Sequence, residues 1–98
     1  SPVSIDGRLS PQTFALHTNY PNPFNPSTQL SYDLAESGVV ELTIYDVNGN
    51  EISKLVQGYQ TAGSYTLTFS ATNMPSGIYV ARLSSGMHSL TRKMILMK

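Results

Sequence analysis

The sequence contains no cysteine and no tryptophan, and only 12% of its 98 residues are charged. The absence of cysteine excludes a disulfide scaffold and the zinc sites that are built from cysteine. No stretch approaches the ~20 consecutive apolar residues of a membrane-spanning helix. The N-terminus has no basic segment followed by an apolar core, so no signal peptide is visible. The length suits a single domain, because domains commonly contain about 100–150 residues.

The net charge of zero results from two halves of opposite sign. Residues 1–51 hold six acids and one base, whereas residues 52–98 hold five bases and no acid. The two halves could complement each other across a fold, or the bases could form a docking edge near the C-terminal end. The bases are few and are not interleaved with aromatic side chains, so nucleic acid is not predicted as a partner.

The first thirteen residues differ in composition from the remainder. Residues 1–13 are polar and contain serine, proline and glycine, which predicts a linker or a loosely docked arm. Residues 14–98 are predicted to form one folded domain. Because the chain begins without methionine, we expect it to be the excised C-terminal domain of a longer protein, with any export signal upstream.

Alternation of apolar and polar residues predicts about seven short strands with turns every 8–12 residues. The segments are FALHT, TQLSYDL, VVELTIYDV, EISKLV, SYTLTFS, IYVARLS and SLTRKMILMK, with QGYQTAG as a loop. The pair Asn48-Gly49 between two of them is a strong hairpin signal. No segment has a helical pattern. The predicted fold is therefore an all-β, immunoglobulin-like antiparallel sandwich, without the Cys–Trp–Cys core of antibody domains.

The stretch YPNPFNPST precedes the first clear strand. Its prolines exclude a helix and a central strand, because proline fixes its own φ and lacks an N–H group. We predict that Asn22 and Asn25 close local turns through their side chains and that Phe24 is driven into the edge of the core. The predicted structural turn comprises Pro21, Asn22, Pro23, Phe24, Asn25 and Pro26.

No catalytic, cofactor-binding or metal-binding residue is predicted, and the chain is not predicted to be an enzyme. His17 and His88 are far apart in sequence and are interpreted as surface residues. The segment DVNGNE has oxygen-bearing side chains at alternating positions but lacks the spacing of a calcium loop, and a hairpin accounts for it. Cofactors are not implied.

The six tyrosines could form a platform for carbohydrate, since tyrosine offers a flat apolar face with a polar tip. Tyr32, Tyr65 and Tyr79 fall on the apolar faces of their strands and are therefore predicted to be core residues. Tyr45 and Tyr59 are predicted to be the exposed ones.

The final segment, TRKMILMK, is strongly apolar between its basic ends. It is either the last strand of the sandwich or a terminal peptide that another protein recognises by strand addition or by capture of its end. We expect this strand to lie at a sheet edge with Lys93 and Lys98 exposed. An apolar edge strand could also pair with a copy of itself, giving a homodimer.

Five segments, in this order and spacing, resemble the C-terminal sorting domain of type IX secretion cargo from Bacteroidetes. They are NYPNPFNPSTQLSYDL, VELTIYDVNGNEISKLV, AGSYTLTF, MPSGIYVARL and RKMILMK. The similarity covers roughly Ala15 to Lys98. The immunoglobulin-like domain of the flagellar hook-capping protein shares several of these patterns, which leaves a hook-cap-like assembly domain as a further alternative.

The resemblance implies a secretion signal that carries an N-terminal passenger, such as a hydrolase or an adhesin, through the periplasm and across the outer membrane to the cell surface or the medium. It implies as partners an outer-membrane translocon and a sortase-like cysteine peptidase, which removes the domain in many members. Cleavage would fall within residues 1–18. The alternative is a non-catalytic spacer or weakly carbohydrate-binding module of a polysaccharide-degrading enzyme. The residues that the resemblance implies for recognition are Gly63, Tyr65, Pro75, Gly77, Tyr79, Val80, Lys93, Met94, Ile95, Leu96, Met97 and Lys98.

Overall fold

The structure, a computed structural model, describes residues 14–98. This part of the chain is all-β, and none of its residues forms a helix. No helix that could cross a membrane is therefore found in it. The predicted arm, residues 1–13, lies outside the described residues. The seven strands are β1 (Ala15–Leu16), β2 (Ser27–Leu34), β3 (Gly38–Asp46), β4 (Glu51–Gln60), β5 (Gly63–Ser70), β6 (Gly77–Ser85) and β7 (His88–Leu96).

The strands form two antiparallel sheets. The three-stranded sheet has the order β1-β2-β5, and the four-stranded sheet has the order β4-β3-β6-β7. The chain therefore changes sheet between β2 and β3, between β4 and β5, and between β5 and β6, as expected for an immunoglobulin-like sandwich. The prediction of the fold class is confirmed.

The core lies between the sheets and takes alternate residues from each strand. In β2 the inward residues are Leu30, Tyr32 and Leu34, all fully buried. Because successive side chains of a strand point to opposite faces, this alternation is what one packed face requires. The remaining buried apolar side chains are Leu16, Phe24, Val40, Leu42, Ile44, Phe69, Ala71, Tyr79, Ala81, Leu83, Met94 and Leu96.

The predicted hairpin joins β3 to β4. The Asp46 N–H donates to the Asn50 carbonyl at 3.0 Å, and the Gly49 N–H donates to the Asp46 carbonyl at 3.1 Å. Asp46 Oδ1 also accepts from the N–H groups of Asn48 and Asn50 at 2.9 and 3.0 Å. The Asn50 N–H is the main cause of the lowered pKa of Asp46, since it stabilises the ionised carboxylate. The hairpin prediction is confirmed.

The boundary between β4 and the next loop was predicted wrongly. Residues 57–60 were assigned to a loop, but β4 continues to Gln60. The reason is tertiary, because β3 begins at Gly38 and offers a pairing partner as far as Gln60. Two register shifts in the β3–β4 pair, after Leu42 and after Ile44, also blur the alternation of β4.

The chain enters the sandwich at one end, and β7 finishes at the other. Phe14 lies against His88 at the start of β7, with ring centroids 5.5 Å apart. The nine residues of β7 then extend about 30 Å. At the far end, Leu96 lies beside Phe24 of the proline-rich stretch. The start of the described chain and the end of β7 therefore lie at opposite ends of the sandwich.

Candidate recognition site

The proline-rich segment Tyr20–Pro26, here called the strap, closes the far end of the sandwich. The peptide bonds before its three prolines are cis. Phe24 is only 1% exposed, and its ring meets the ring of Phe69 edge-on, with centroids 6.3 Å apart. The predicted burial of Phe24 is confirmed.

The strap pairs with the end of β7 through its backbone. The Phe24 N–H donates to the Ile95 carbonyl at 2.9 Å, and the Met97 N–H donates to the Phe24 carbonyl at 3.0 Å. These two bonds form a short parallel bridge between Phe24 and Leu96. The proline-rich strap and the C-terminal strand therefore form one structural unit.

Asn22 was predicted to close a local turn, and that prediction is wrong. Its side-chain oxygen accepts from the N–H of Ile95 at 3.1 Å, and its side-chain nitrogen donates to the Lys93 carbonyl at 3.4 Å. The side chain thereby occupies outward-facing backbone groups of β7. The Asn25 side chain is exposed and has no hydrogen-bond partner within residues 14–98, so the same prediction fails there too.

The last residues of β7 and Lys98 are held in place on a second side as well. The Lys98 N–H donates to Ser76 Oγ at 3.0 Å, and Lys98 Nζ donates to the Thr72 carbonyl at 2.8 Å. β7 lies at the edge of its sheet, and Lys93 and Lys98 are both exposed. The predictions for the edge position and for both lysines are confirmed.

The position of the strap limits how another chain could bind β7. Strand addition needs unpaired N–H and C=O groups along an edge. Over Lys93 to Met97 the strap already bonds the Lys93 carbonyl, both backbone groups of Ile95 and the Met97 N–H. An added strand can pair along this part of β7 only after the strap has moved.

The two Gly-x-Tyr elements share a local geometry that sequence reasoning missed. The Tyr79 hydroxyl donates to the Pro75 carbonyl at 2.6 Å, and the Tyr65 hydroxyl donates to the Thr61 carbonyl at 2.6 Å, each four residues back. The Tyr79 bond, at the β5–β6 corner, corresponds to the tyrosine corner of immunoglobulin-like domains. The signal in the sequence was a tyrosine two residues after a glycine that begins a strand.

The glycine of each element adopts a backbone conformation that other residues avoid. Gly63 has φ of 151° and Gly77 has φ of 155°. A side chain at either position would be strained, because L-residues rarely adopt this region. Glycine therefore permits the turn that brings each tyrosine hydroxyl back to its carbonyl.

The other residues that the resemblance singled out divide between the core and the surface. Met94 is fully buried and Leu96 is 1% exposed, so both side chains pack between the sheets. Val80 and Ile95 are half-buried on the outer face of the four-stranded sheet, whereas Met97 is 58% exposed.

Within residues 14–98, the bases of β6 and β7 form no ion pair with an acid. The ion pairs among the described residues are His17–Asp33 at 2.9 Å and Lys54–Glu41 at 3.9 Å. Arg92 instead donates from Nε to the Leu16 carbonyl of β1 at 2.6 Å. This arrangement favours the basic edge over charge complementarity between the two halves.

The remaining sequence candidates form no convergent site. His17 and His88 are both exposed. Within residues 14–98, no group of three or more histidine and acidic side chains could hold a metal ion. Tyr32 is fully buried, and its ring stacks on that of Tyr65 with centroids 5.3 Å apart. Burial raises the pKa of Tyr32, although a hydrogen bond to Gln60 acts in the opposite direction.

Residues 18–97 match the family model of the secretion system C-terminal sorting domain. The chain belongs to this family. The match includes the strap and the whole of β7, and it identifies the chain as a C-terminal sorting signal of type IX secretion. Sorting domains of this family are not catalytic. No curated protein matches the chain.

The family assignment gives the sorting domain two kinds of contact. It interacts with the type IX secretion machinery and it accompanies an N-terminal passenger. The family assignment also implies export across the outer membrane, to the cell surface or the medium.

Proposed function

We propose that the outer-membrane translocon of the type IX system recognises this sorting domain in its folded state, at the β7 end formed by Lys93–Lys98. The passenger would be a hydrolase or an adhesin that reaches the translocon through the periplasm. A sortase-like cysteine peptidase would then cleave before the sandwich, in the part of residues 1–18 that precedes β1.

The observation that carries the proposal is the way in which the β7 end is held. Six hydrogen bonds fix it: two from the Phe24 backbone, two from the Asn22 side chain, and two made by Lys98. Ordering a flexible peptide on binding costs conformational entropy, and a segment that is already fixed avoids that cost. A signal at this end is therefore presented in one defined shape.

The twelve residues named by the resemblance would act in two ways. Gly63, Tyr65, Pro75, Gly77, Tyr79, Met94 and Leu96 would shape the domain, since the fold already uses each of them. Val80, Lys93, Ile95, Met97 and Lys98 would touch the partner, since each reaches the surface.

Secretion of a passenger fusion tests the proposal. A reporter carrying this chain at its C-terminus should be exported by a host with the type IX system, and deletion of the chain should retain the reporter in the cell. Deletion of Met94–Lys98 removes two core side chains, so a folded variant is needed beside it. The double variant Lys93→Glu, Lys98→Glu should lower export while leaving the unfolding midpoint within a few degrees.

The control is Lys54→Glu combined with Glu41→Gln, on the strands β4 and β3 at the opposite side of the same sheet, because Lys54 pairs with Glu41 and the single change would set two carboxylates together. Its export should equal that of the parent fusion. Normal export from a folded double variant would remove the lysines from the recognition site. Normal export after deletion of the whole chain would contradict the sorting role itself.

A spacer or carbohydrate-binding module is the second candidate, and one observation favours it. Tyr59 of β4 is 67% exposed and could stack on a sugar ring. Tyr45 of β3, which was also predicted to be exposed, is half-buried. Affinity electrophoresis through several polysaccharides should then show retardation that Tyr59→Ala abolishes. Mobility that is equal with and without polysaccharide would reject this candidate.

A further inference from the structure

The two sheets differ in what they present on their outer faces. On the three-stranded sheet the outward positions are occupied by polar residues: Gln29, Ser31 and Asp33 in β2, and Ser64, Thr66 and Thr68 in β5. Ser31 and Thr66 lie opposite each other, with their hydroxyl oxygens 3.1 Å apart. An antiparallel sheet with one face on the core and one in water usually has such a polar outer face.

The four-stranded sheet does not have a uniformly polar outer face. The exception lies where the start of β6 pairs with the end of β7. Its β6 and β7 strands place Ile78 opposite Ile95 and Val80 opposite Lys93, and β3 places Tyr45 opposite Val80. All five residues are on the outer face, because the residues that alternate with them, such as Tyr79 and Met94, are buried in the core. We call Tyr45, Ile78, Val80, Lys93 and Ile95 the outer patch.

The core does not account for the apolar members of the outer patch. Ile78 is 42% exposed, and Met97, two residues beyond Ile95, is 58% exposed. A shallow depression of about 370 Å³ continues the outer patch past Val80 and is lined by Tyr45, Val47, Val80 and Thr91 among others. Ile78 is thus the exposed apolar member of the outer patch, and Tyr45, Val80 and Ile95 are half-buried around it. Contiguous apolar surface that reaches the solvent marks interaction surfaces in soluble proteins.

The charges around the outer patch are divided between its two sides. Lys93 lies within it, and Arg82 is the next outward residue of β6 after Val80. Neither base makes an ion pair with an acid in the part of the chain that the structure describes. On the other side of the outer patch, Glu51 of β4 lies opposite Tyr45, and the Asp46 carboxylate is bonded to the N–H groups of Asn48 and Asn50. A partner surface with an apolar centre and with acidic groups facing Lys93 and Arg82 would complement this arrangement.

We infer that the outer patch is the surface through which the sorting domain docks on the secretion machinery, and that the partner presents an apolar surface with carboxylates on the side that faces Lys93 and Arg82. The inference rests on the proposed function and deepens it. Recognition then takes place on the face of the sheet, where the strap leaves β7 accessible, rather than along the edge, where the strap occupies the backbone.

Export of the passenger fusion tests the inference with variants that keep the fold. The pair Ile78→Ser, Ile95→Ser removes the apolar centre, and Lys93→Glu reverses the charge. Each should reduce export about tenfold or more, because central apolar and charged residues dominate the affinity of an interface. The contribution of charge is isolated by comparing Lys93→Glu with Lys93→Gln. Lys93→Gln should lower export less, because it removes the positive charge without introducing a negative one.

The controls match each change in kind. Val39→Ser and Met87→Ser remove exposed apolar side chains elsewhere on the domain, and Lys54→Glu combined with Glu41→Gln reverses a charge on β4 without setting two carboxylates together. Each should export within about twofold of the parent, since rim and non-interface residues contribute little to binding. Unfolding curves are measured for all variants. A loss of export is attributed to docking only where the unfolding midpoint stays close to that of the parent.

The outcomes separate the inference from the proposed function. If deletion of the domain stops export but the outer-patch variants are exported normally, the outer patch is not the docking surface while the sorting function stands. If deletion of the domain has no effect, the proposed function itself fails. A photocrosslinker at Ile78 should form an adduct with an outer-membrane component of the type IX machinery. An adduct only with a second copy of the domain would overturn the inference in favour of self-association.

Discussion

The side-chain oxygen of Asn22 accepts a hydrogen bond from the backbone N–H of Ile95, 3.1 Å away in space and 73 residues away in sequence. Together with the backbone bonds of Phe24, this contact joins the start of the folded domain to the end of its last strand. The strap and β7 must therefore fold together, and a change in one should be felt in the other.

Replacement of Asn22 by alanine should expose the edge of β7. The loss of two hydrogen bonds should reduce the free energy of unfolding by about 1–2 kcal/mol. Edge groups left unpaired favour pairing with another chain, so the variant should also self-associate more than the parent. Denaturant unfolding and sedimentation velocity measure the two effects. Asn25→Ala is the control and should change neither; equal behaviour of the two variants would contradict the role of Asn22.

Replacement of Phe24 by alanine should be the most damaging change in the strap. The ring is buried against Phe69, and truncation of a buried phenylalanine commonly costs about 3–5 kcal/mol. Tyr20→Ala, in the same segment, removes an aromatic ring that is 79% exposed and should cost far less. Denaturant unfolding of both variants gives the comparison, and similar losses would mean that the strap does not anchor through Phe24.

Removal of the Tyr79 hydroxyl should weaken the β5–β6 corner. Tyr79→Phe retains the buried ring but loses the bond to the Pro75 carbonyl, at an expected cost of about 1 kcal/mol in the free energy of unfolding. Tyr59→Phe serves as the control, because its side chain is 67% exposed. If both variants unfold at the same denaturant concentration as the parent, the corner bond does not contribute to stability.

Stability in acid should depend on Asp46. Its pKa is lowered in the folded state, chiefly by the N–H of Asn50, so its contribution is present above the unfolded-state pKa of 3.8 and is lost as the pH falls through the folded-state pKa. The Asp46→Asn variant lacks this titration. Between about pH 6 and about pH 2 the parent should therefore lose more stability than the variant. Unfolding curves across this range measure the difference. Equal losses of stability in the parent and in Asp46→Asn would contradict the contribution of Asp46.

Much of the fold follows from local patterns in the sequence. Alternation identified the strands, Asn48-Gly49 identified the hairpin, and the isolated ring among prolines identified Phe24 as a core residue. Each of these features is determined by residues that are close together in the chain. Local chemistry therefore sufficed to predict them.

The features that sequence reasoning missed depend on residues far apart in the chain. The Asn22 side chain was assigned a local turn because its true partners, in β7, could not be located before the sheets were known. The extension of β4 to Gln60 likewise depends on where β3 begins. The outer patch needs the register of β3, β6 and β7 together, which no single strand pattern supplies.

The parallel pairing of the strap with β7 also has a mechanical consequence. The chain enters at one end of the sandwich and β7 finishes at the other, so tension between the two ends pulls the strap and β7 past each other along their length. Four hydrogen bonds between them are then strained at the same time rather than one after another. A force–extension measurement on the tethered chain should show a single rupture whose force falls in Asn22→Ala, since forced unfolding is governed by the rate of unfolding. The domain would therefore resist unfolding when tension is applied between its two ends, while the outer face of the four-stranded sheet stays accessible to a partner.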